Sequence, residues 1–329
     1  MTLRSYIKVL LVAAFDASFI QDDIETIENK FILKKRIGHG LPALIKIIFN
    51  TLTTDVLFCW FASVYSFVGV FIGKMINIKT IIVVGGVDAA KDAELGYGIW
   101  LNPWKAKLIR YVFRNATYIL VVDPSLKESA ISLAEYNGDN IRYVPTGYDS
   151  EFWKPLGEKE KIVLTVAAIK DETTFRRKGI DTLIESARHL PNIQYFVVGV
   201  DEKIAANKNL PQNIRLIPKV PRENLLPFYQ RAKLYCQPSL HEGLPNALCE
   251  AMLCGCFPIA TNVNGNPTAL GDTGILIPVS DPEKLTAAIL TGLSAESGEG
   301  IRARARIVSL FPRSKRANEI IRFIEMENK

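Results

Sequence analysis

Apolar and amphipathic segments alternate along this chain in two successive series, and that rhythm leaves few folds open. The first series of candidate strands is IKVLLVA from Ile7, FILKKRI from Phe31, DVLFCWF from Asp55, KTIIVVGG from Lys79, TYILVVD from Thr117 and IRYVPT from Ile141. Helical stretches separate them at 22–29, 41–50, 63–75, 103–114 and 125–136. Strands that are apolar on both faces, with a helix between each pair, describe a parallel sheet covered on both sides.

A polar stretch, TGYDSEFWKPLGEKEK from Thr146, interrupts the rhythm. It resumes with KIVLTVAAI from Lys161, GIDTLIESARHL from Gly179, IQYFVVGV from Ile193 and IRLIPKV from Ile214. Helix ENLLPFYQRA, strand KLYCQPS, helix PNALCEAMLCG, strands CFPIATN and GILIPV and helix DPEKLTAAILTGL follow. The chain thus reads as two α/β domains: 1–150, a linker at 151–160, and 161–312. A last amphipathic helix, 313–329, is expected to return to the first domain. The length of 329 residues agrees, at roughly 150 residues per domain. With 48% apolar and 22% charged residues the chain is not disordered. In open parallel sheets ligands bind beyond the carboxyl ends of the strands.

Two segments resemble membrane or export signals. Val56–Gly73 is an uncharged run of 18 residues, but its β-rich start and small-residue end read as a buried strand followed by a helix. The apolar N-terminus stops at Asp16 and reads as a first strand. Five cysteines without framework spacing point to a reducing, cytoplasmic setting. The net charge of +6 permits a phosphate-bearing ligand or an anionic membrane surface.

The richest stretch in chemistry is Ser239-Leu-His-Glu-Gly-Leu-Pro-Asn-Ala-Leu-Cys-Glu-Ala-Met, between a strand and a helix. Gly243 allows a tight turn, and Pro245 suits a first helical turn. The free amides in the stretch from Gly243 to Asn246, of which Pro245 has none, would face outward at a helix amino end, where an anion such as phosphate is favoured. Glu242 precedes the helix. Glu250 lies inside it on a half-apolar face, where it is either a solvated side chain or a partner for hydroxyl pairs.

Glu242-x7-Glu250 within S-x-H-E-G-x-P-N-x-x-x-E-A-M closely resembles the signature of glycosyltransferase family 4, retaining enzymes of the GT-B fold. VPTGYDSEFWKP, RKGIDTLIESA, FVVGV, ATNVNGNP and DTGILIPVSDPEKLTAAI resemble further family segments, in the right order across most of 141–292. The resemblance implies two Rossmann-like domains whose parallel sheets face each other across a cleft. It implies that Glu250 binds the ribose hydroxyls of a nucleotide-sugar donor and Glu242 the hydroxyls of the transferred sugar. The amides of Gly243 and Leu244 would cradle the pyrophosphate. Lys178 would neutralise the leaving diphosphate. Asp88, in a Gly-Gly-x-Asp-x-Ala loop, resembles a site loop of some members.

The chain departs from the family where Ala167-Ala168 stand in place of Gly-Arg. Lys170, Arg176 or Arg177 are the candidates to replace that arginine. The family's Gly-Gly-x-Pro-Glu turn is here Asn264-Gly265-Asn266-Pro267-Thr268, without its acid. No Asp-x-Asp occurs, and the expected chemistry uses neither a metal nor a separate cofactor. P-loop and GxGxxG motifs are also missing.

The expected activity is retaining transfer of a sugar to the hydroxyl of a glycan or lipid-linked acceptor. Peripheral membrane contact is expected from KKRIGHGLPALIKIIF and from Trp100, Trp104, Lys105, Lys107, Arg110, Tyr111 and Arg114. Nucleic acid is not an expected partner. The alternatives are a sugar-nucleotide epimerase of the same fold and a catalytically silent carbohydrate-binding or scaffold protein.

Overall fold

The computed structural model describes residues 6–206 and 208–327. Positions 1–5 of the N-terminal segment and the last two positions of the expected 313–329 helix lie outside the described residues. Internal packing divides the chain into two units. One comprises the residues up to Gly147 together with Arg313 onward; the other is Tyr148–Pro312.

The first unit is built on strands β1 (Lys8–Ala13), β2 (Ile32–Ile37), β3 (Val56–Trp60), β4 (Lys79–Val84), β5 (Tyr118–Val121) and β6 (Ile141–Tyr143). They form one parallel sheet in the order β2-β1-β3-β4-β5-β6. Its helices are α1 (Ser18–Glu28), α2 (Leu41–Thr51), α3 (Val64–Met75), α4 (Pro103–Asn115) and α5 (Pro124–Ala134). The uncharged run Val56–Gly73 divides as its composition suggests. β3 is buried throughout, and α3 then starts at a capping box between Ser63 and Ser66. At Gly69 of α3 an added Cβ would stand 2.5 Å from Leu57 of β3. The small residue therefore lets the helix lie close against the sheet. Among the described residues no helix is long and apolar enough to cross a membrane.

The second unit holds β7 (Glu160–Ile169), β8 (Gln194–Val200), β9 (Ile214–Ile217), β10 (Ala232–Gln237), β11 (Phe257–Thr261) and β12 (Ile275–Ile277). These are also all parallel, in the order β12-β11-β10-β7-β8-β9. The helices are α6 (Glu172–Arg177), α7 (Ile180–His189), α8 (Glu202–Ala205), α9 (Leu226–Arg231), α10 (Asn246–Leu253), α11 (Gly265–Leu270), α12 (Pro282–Ser294) and α13 (Ser297–Leu310). Trp153, in the stretch read as a linker, is fully buried and packs edge-on against Tyr229. That stretch therefore belongs in part to the packing of this unit.

The final helix, α14 (Arg313–Glu325), is anchored by a buried polar hub. Arg316 donates to both carboxylate oxygens of Asp23 in α1 at 2.7 and 2.6 Å, and to the carbonyls of Val144 and Pro145. The Trp60 indole N–H also donates to Asp23, and the Arg316 guanidinium lies 5.1 Å from the Trp60 ring centre.

The basic and aromatic group on and just before α4 is only partly a surface feature. Trp100 is buried and its indole donates to the Asp88 carbonyl. Arg110 and Arg114 turn inward to the carbonyls of Leu133, Ala134 and Glu135 at the end of α5. Cations are favoured at a helix carboxyl end, which is why these two are not free on the surface.

Candidate functional site

The strand order places a switch point in the second sheet. From β7 the chain runs outward through β8 and β9, then returns to add β10, β11 and β12 on the other side. Loops leaving neighbouring strands in opposite directions open a crevice at the carboxyl ends of β7 and β10. The loops there carry Lys178 and Glu242.

Backbone contacts join these two loops. The Leu240 amide donates to the Arg177 carbonyl at 2.7 Å, and the Arg177 guanidinium donates to the His241 carbonyl. Gly179 has φ +67°, and an added Cβ would stand 1.9 Å from the Pro238 carbonyl oxygen. Only glycine fits there, which explains the Lys-Gly pair at this turn.

The Lys178 ammonium thereby reaches Glu242 at 2.5 Å. Glu242 is 7% exposed. Its carboxylate also accepts from Gln237 Nε2 at 2.7 Å, and Gln237 in turn accepts from the Tyr235 hydroxyl at 2.9 Å. From the third loop, after β11, Asn264 Oδ1 accepts from the Glu242 amide. Burial pushes the Glu242 carboxyl up, but the Lys178 and Arg177 cations more than reverse this, so it lies below the usual carboxylate range. Burial lowers the Lys178 pKa and Arg177 adds to the lowering, against the pull of Glu242. Each group thus favours the charged form of the other where burial disfavours either charge alone.

Beside this pair the chain turns into α10. Gly243 and Leu244 are both buried, yet among the described residues their amides donate no hydrogen bond within the chain. Buried amides are nearly always paired, so two adjacent ones with no partner within the chain leave two donors at a helix amino end, where an anion is favoured. Pro245 stands one residue earlier than expected, as the N-cap, and Asn246 opens the helix. The Asn246 side-chain oxygen accepts from the Tyr148 hydroxyl at 2.8 Å. A Cβ on Gly265 would stand 2.2 Å from the Gly243 carbonyl oxygen, so the loop after β11 backs the turn directly.

Glu250 does not lie on a solvated face. It is 5% exposed and is met by Arg222 Nη2 at 3.2 Å and by the Tyr229 hydroxyl at 3.2 Å. The Arg222 guanidinium is 5.4 Å from the Trp153 ring centre. Of the candidates to replace the missing arginine, Arg177 is brought to Glu242. Lys170 instead lines a cavity of about 470 Å³ beyond the ends of β7, β8 and β9, together with Asp201, Lys203 and Lys219.

Asp88 belongs to the first unit, where it acts as a loop staple. One carboxylate oxygen accepts from the amides of Gly85 and Gly86, the other from that of Ala62, and the residue is fully buried. A carboxylate so occupied faces no solvent, which departs from the catalytic role expected of it. Burial pushes its pKa up to about 6, against the three amides, which favour the charged form. A folded-state pKa above the unfolded one adds stability at low pH and loses it as pH rises through about 6. The parent chain is thus expected to lose about 2 kcal/mol relative to Asp88→Asn between pH 4 and pH 7. Urea unfolding at both pH values measures this, and parallel profiles would contradict it.

Residues 149–307 match the family model of glycosyl transferases group 1. The chain carries a glycosyl transferases group 1 domain. This group 1 domain contains the whole second sheet and every site residue placed above except Asp88. The chain is 34% identical to the O-antigen chain mannosyltransferase B of Escherichia coli over 202 residues, which are 56% of this chain and 53% of that protein. It is 26% identical to the phosphatidylinositol N-acetylglucosaminyltransferase gpi3 subunit of Schizosaccharomyces pombe over 50% of this chain and 38% of that one. It thus spans about half or less of the length of these curated relatives. The Anabaena HepE structure in complex with UDP-glucose superposes with a TM-score of 0.80 at 12% identity, covering 96% of this chain and 99% of that chain. The fold is the two-domain α/β GT-B fold.

Gln237, Tyr235, Arg222 and Tyr229 surround the group 1 motif without a signal in the sequence beyond the glutamine that ends the apolar strand KLYCQ, while Asn264 was visible only as part of the altered turn.

Proposed function

We propose that this chain is a retaining glycosyltransferase of family 4, moving a sugar from a nucleotide-diphosphate sugar to an acceptor hydroxyl. The observation that carries this reading is the pair of unpartnered amides at Gly243 and Leu244 beside the buried Lys178–Glu242 pair. The amides suit the donor's diphosphate. Lys178, seconded by Arg177, opposes the charge that grows as the C1–O bond to the diphosphate breaks. No metal is required for that neutralisation. Glu242 holds hydroxyls of the transferred sugar and Glu250 those of the ribose. The acceptor oxygen forms the new bond to C1 on the face the diphosphate leaves, and a departing phosphate oxygen takes the acceptor proton. No protein base is needed, which agrees with an Asp88 bound up in its own loop.

The relatives' names favour a lipid-linked or glycan acceptor, and the UDP-glucose complex of the structural neighbour makes a UDP-sugar the first donor to test. Such an acceptor suits a cytoplasmic protein in peripheral contact with a membrane.

Thermal shift against UDP-, GDP-, ADP- and TDP-sugars tests the donor site. One class is expected to raise the melting temperature, and Glu250→Ala, checked for its fold by near-ultraviolet circular dichroism, to abolish that rise. An unchanged rise in a folded variant would remove the ribose assignment. Donor binding without hydrolysis or transfer would favour a silent carbohydrate-binding protein.

A further inference from the structure

Gln237 is a polar side chain in the buried run that ends β10, and only 2% of its surface is exposed. A buried amide costs stability unless its hydrogen bonds are made. Here they are made on both sides. Nε2 donates to Glu242 Oε1 at 2.7 Å and to Ser239 Oγ at 2.9 Å, and Oε1 accepts from the Tyr235 hydroxyl at 2.9 Å. Tyr235 and Gln237 are two apart on the strand and so project from the same face of it. All four residues are buried.

The donors in this group fix its direction. A primary amide offers two donors on its nitrogen and one accepting oxygen, whereas a carboxylate only accepts. The amide must therefore turn Nε2 to Glu242 and Oε1 to the Tyr235 hydroxyl. The reverse setting would place two acceptors against each other. Tyr235 is itself held to β7: its hydroxyl accepts from the Val166 amide at 3.4 Å and lies 3.3 Å from the Val166 carbonyl oxygen. The Ser239 hydroxyl accepts from Gln237, and its own hydrogen goes to Glu242.

Lys178 does not supply this order by itself. An ammonium is a point charge with three rotating donors, so it neutralises a carboxylate from many directions. In the proposed reaction it also serves the departing diphosphate. The planar amide of Gln237 has one setting, and it holds the same Oε1 that Lys178 holds. A carboxylate tied through one oxygen presents the other in one direction. A loose glutamate side chain would instead lose rotamer freedom on meeting a ligand, at the expense of affinity.

We propose that Gln237 is a positioning residue for the donor's sugar: pinned by the Tyr235 hydroxyl, its amide holds Glu242 in one rotamer, so that the carboxylate meets the sugar hydroxyls already ordered. This rests on the reading of Glu242 as the carboxylate that binds the transferred sugar. It gives a reason for a fully bonded glutamine in a buried strand end.

Two variants test it. Gln237→Met keeps the length of the side chain without its amide, and Tyr235→Phe removes only the hydroxyl that sets the amide's direction. In protein carrying 13C at glutamate Cδ, the resonance missing from Glu242→Gln identifies Glu242. Its titration midpoint is expected to rise by about one pH unit in Gln237→Met, because a hydrogen bond to the charged form is lost. Tyr235→Phe is expected to move it in the same direction by less. The cations that face Glu242, Lys178 and Arg177, are the same in both variants. The Kd of the donor by calorimetry is expected to rise about tenfold in Gln237→Met and about threefold in Tyr235→Phe. KM should follow it with kcat little changed, since contacts to the sugar hydroxyls exist before the transition state. A lower melting temperature with an unmoved Glu242 midpoint and an unmoved donor affinity would make Gln237 a packing residue alone and overturn the assignment. If the parent binds no donor of any class, the transferase reading falls, while the Glu242 midpoint still decides whether Gln237 orients the carboxylate.

Discussion

Arg316→Ala is expected to lower the unfolding free energy by about 3–5 kcal/mol, the usual effect of removing one member of a buried ion pair. Arg316 and Asp23 have side-chain exposures of 5% and 1%, so neither is relieved by water. Alanine at 316 would leave the Asp23 carboxylate buried with only the Trp60 indole donating to it, and would strip the Val144 and Pro145 carbonyls of their donor. The loss should not be read as the net worth of the pair. An Arg316→Met, Asp23→Leu double variant keeps the volume without the charges, and is expected to be less destabilised than the sum of the single changes. Guanidinium unfolding of the three variants measures both quantities. A loss below about 1 kcal/mol for Arg316→Ala would mean that the hub is hydrated in solution.

Lys178→Ala is expected to reduce the transfer rate by about 10²–10³, corresponding to some 3–4 kcal/mol of lost transition-state stabilisation. The effect should fall on kcat more than on KM, because under the proposed reaction the charge that Lys178 opposes develops only as the diphosphate departs. The fold should persist, since Glu242 still accepts from Gln237 and its backbone amide still donates to Asn264 Oδ1. Lys178→Arg is not expected to restore the rate: a planar fork cannot occupy the position of a single ammonium buried against Glu242 and Arg177. Steady-state kinetics on the donor found by thermal shift decides this, and a rate within threefold of the parent would remove Lys178 from the chemistry. Alkaline pH is expected to mimic the substitution in the parent, because burial has already lowered the Lys178 pKa.

The strands were legible because their signal is local. VLFCWF and KTIIVV are apolar on both faces, and such segments have no stable place except inside a covered parallel sheet. α13 was not anticipated. Its sequence, SGEGIRARARIVSL, alternates arginine with small residues, and its apolar stripe is thin: Ala303 and Ile307 are buried while Ile301 is exposed. Its arginines explain the helix. Arg304 donates to the carbonyls of Leu253, at the end of α10, and of Ser150 and Trp153. Arg306 serves those of Thr268 and Ala269 in α11. These partners are 37 to 154 positions away in sequence, beyond the reach of any periodicity.

The site divides in the same manner. Glu242, Glu250, Lys178 and Gly243 lie in recognisable local motifs. Arg222 and Tyr229 become partners of Glu250 only through the fold. Asp88 shows the converse: the same Gly-Gly-x-Asp spacing that presents a carboxylate to a ligand in relatives also lets it cap the amides of its own turn.

The return of α14 to the first unit has a consequence for how the molecule is made. Between β6 and α14 the chain spells out the whole of Tyr148–Pro312, so the ends of one unit are joined through the other. As the chain emerges during synthesis, the first sheet can form while Asp23 still lacks its arginine. Units generally fold as they emerge, and closing contacts of large sequence separation come late. The nascent first unit therefore waits, with Asp23 lacking its arginine, until the last helix arrives; the second unit is complete before the first is closed.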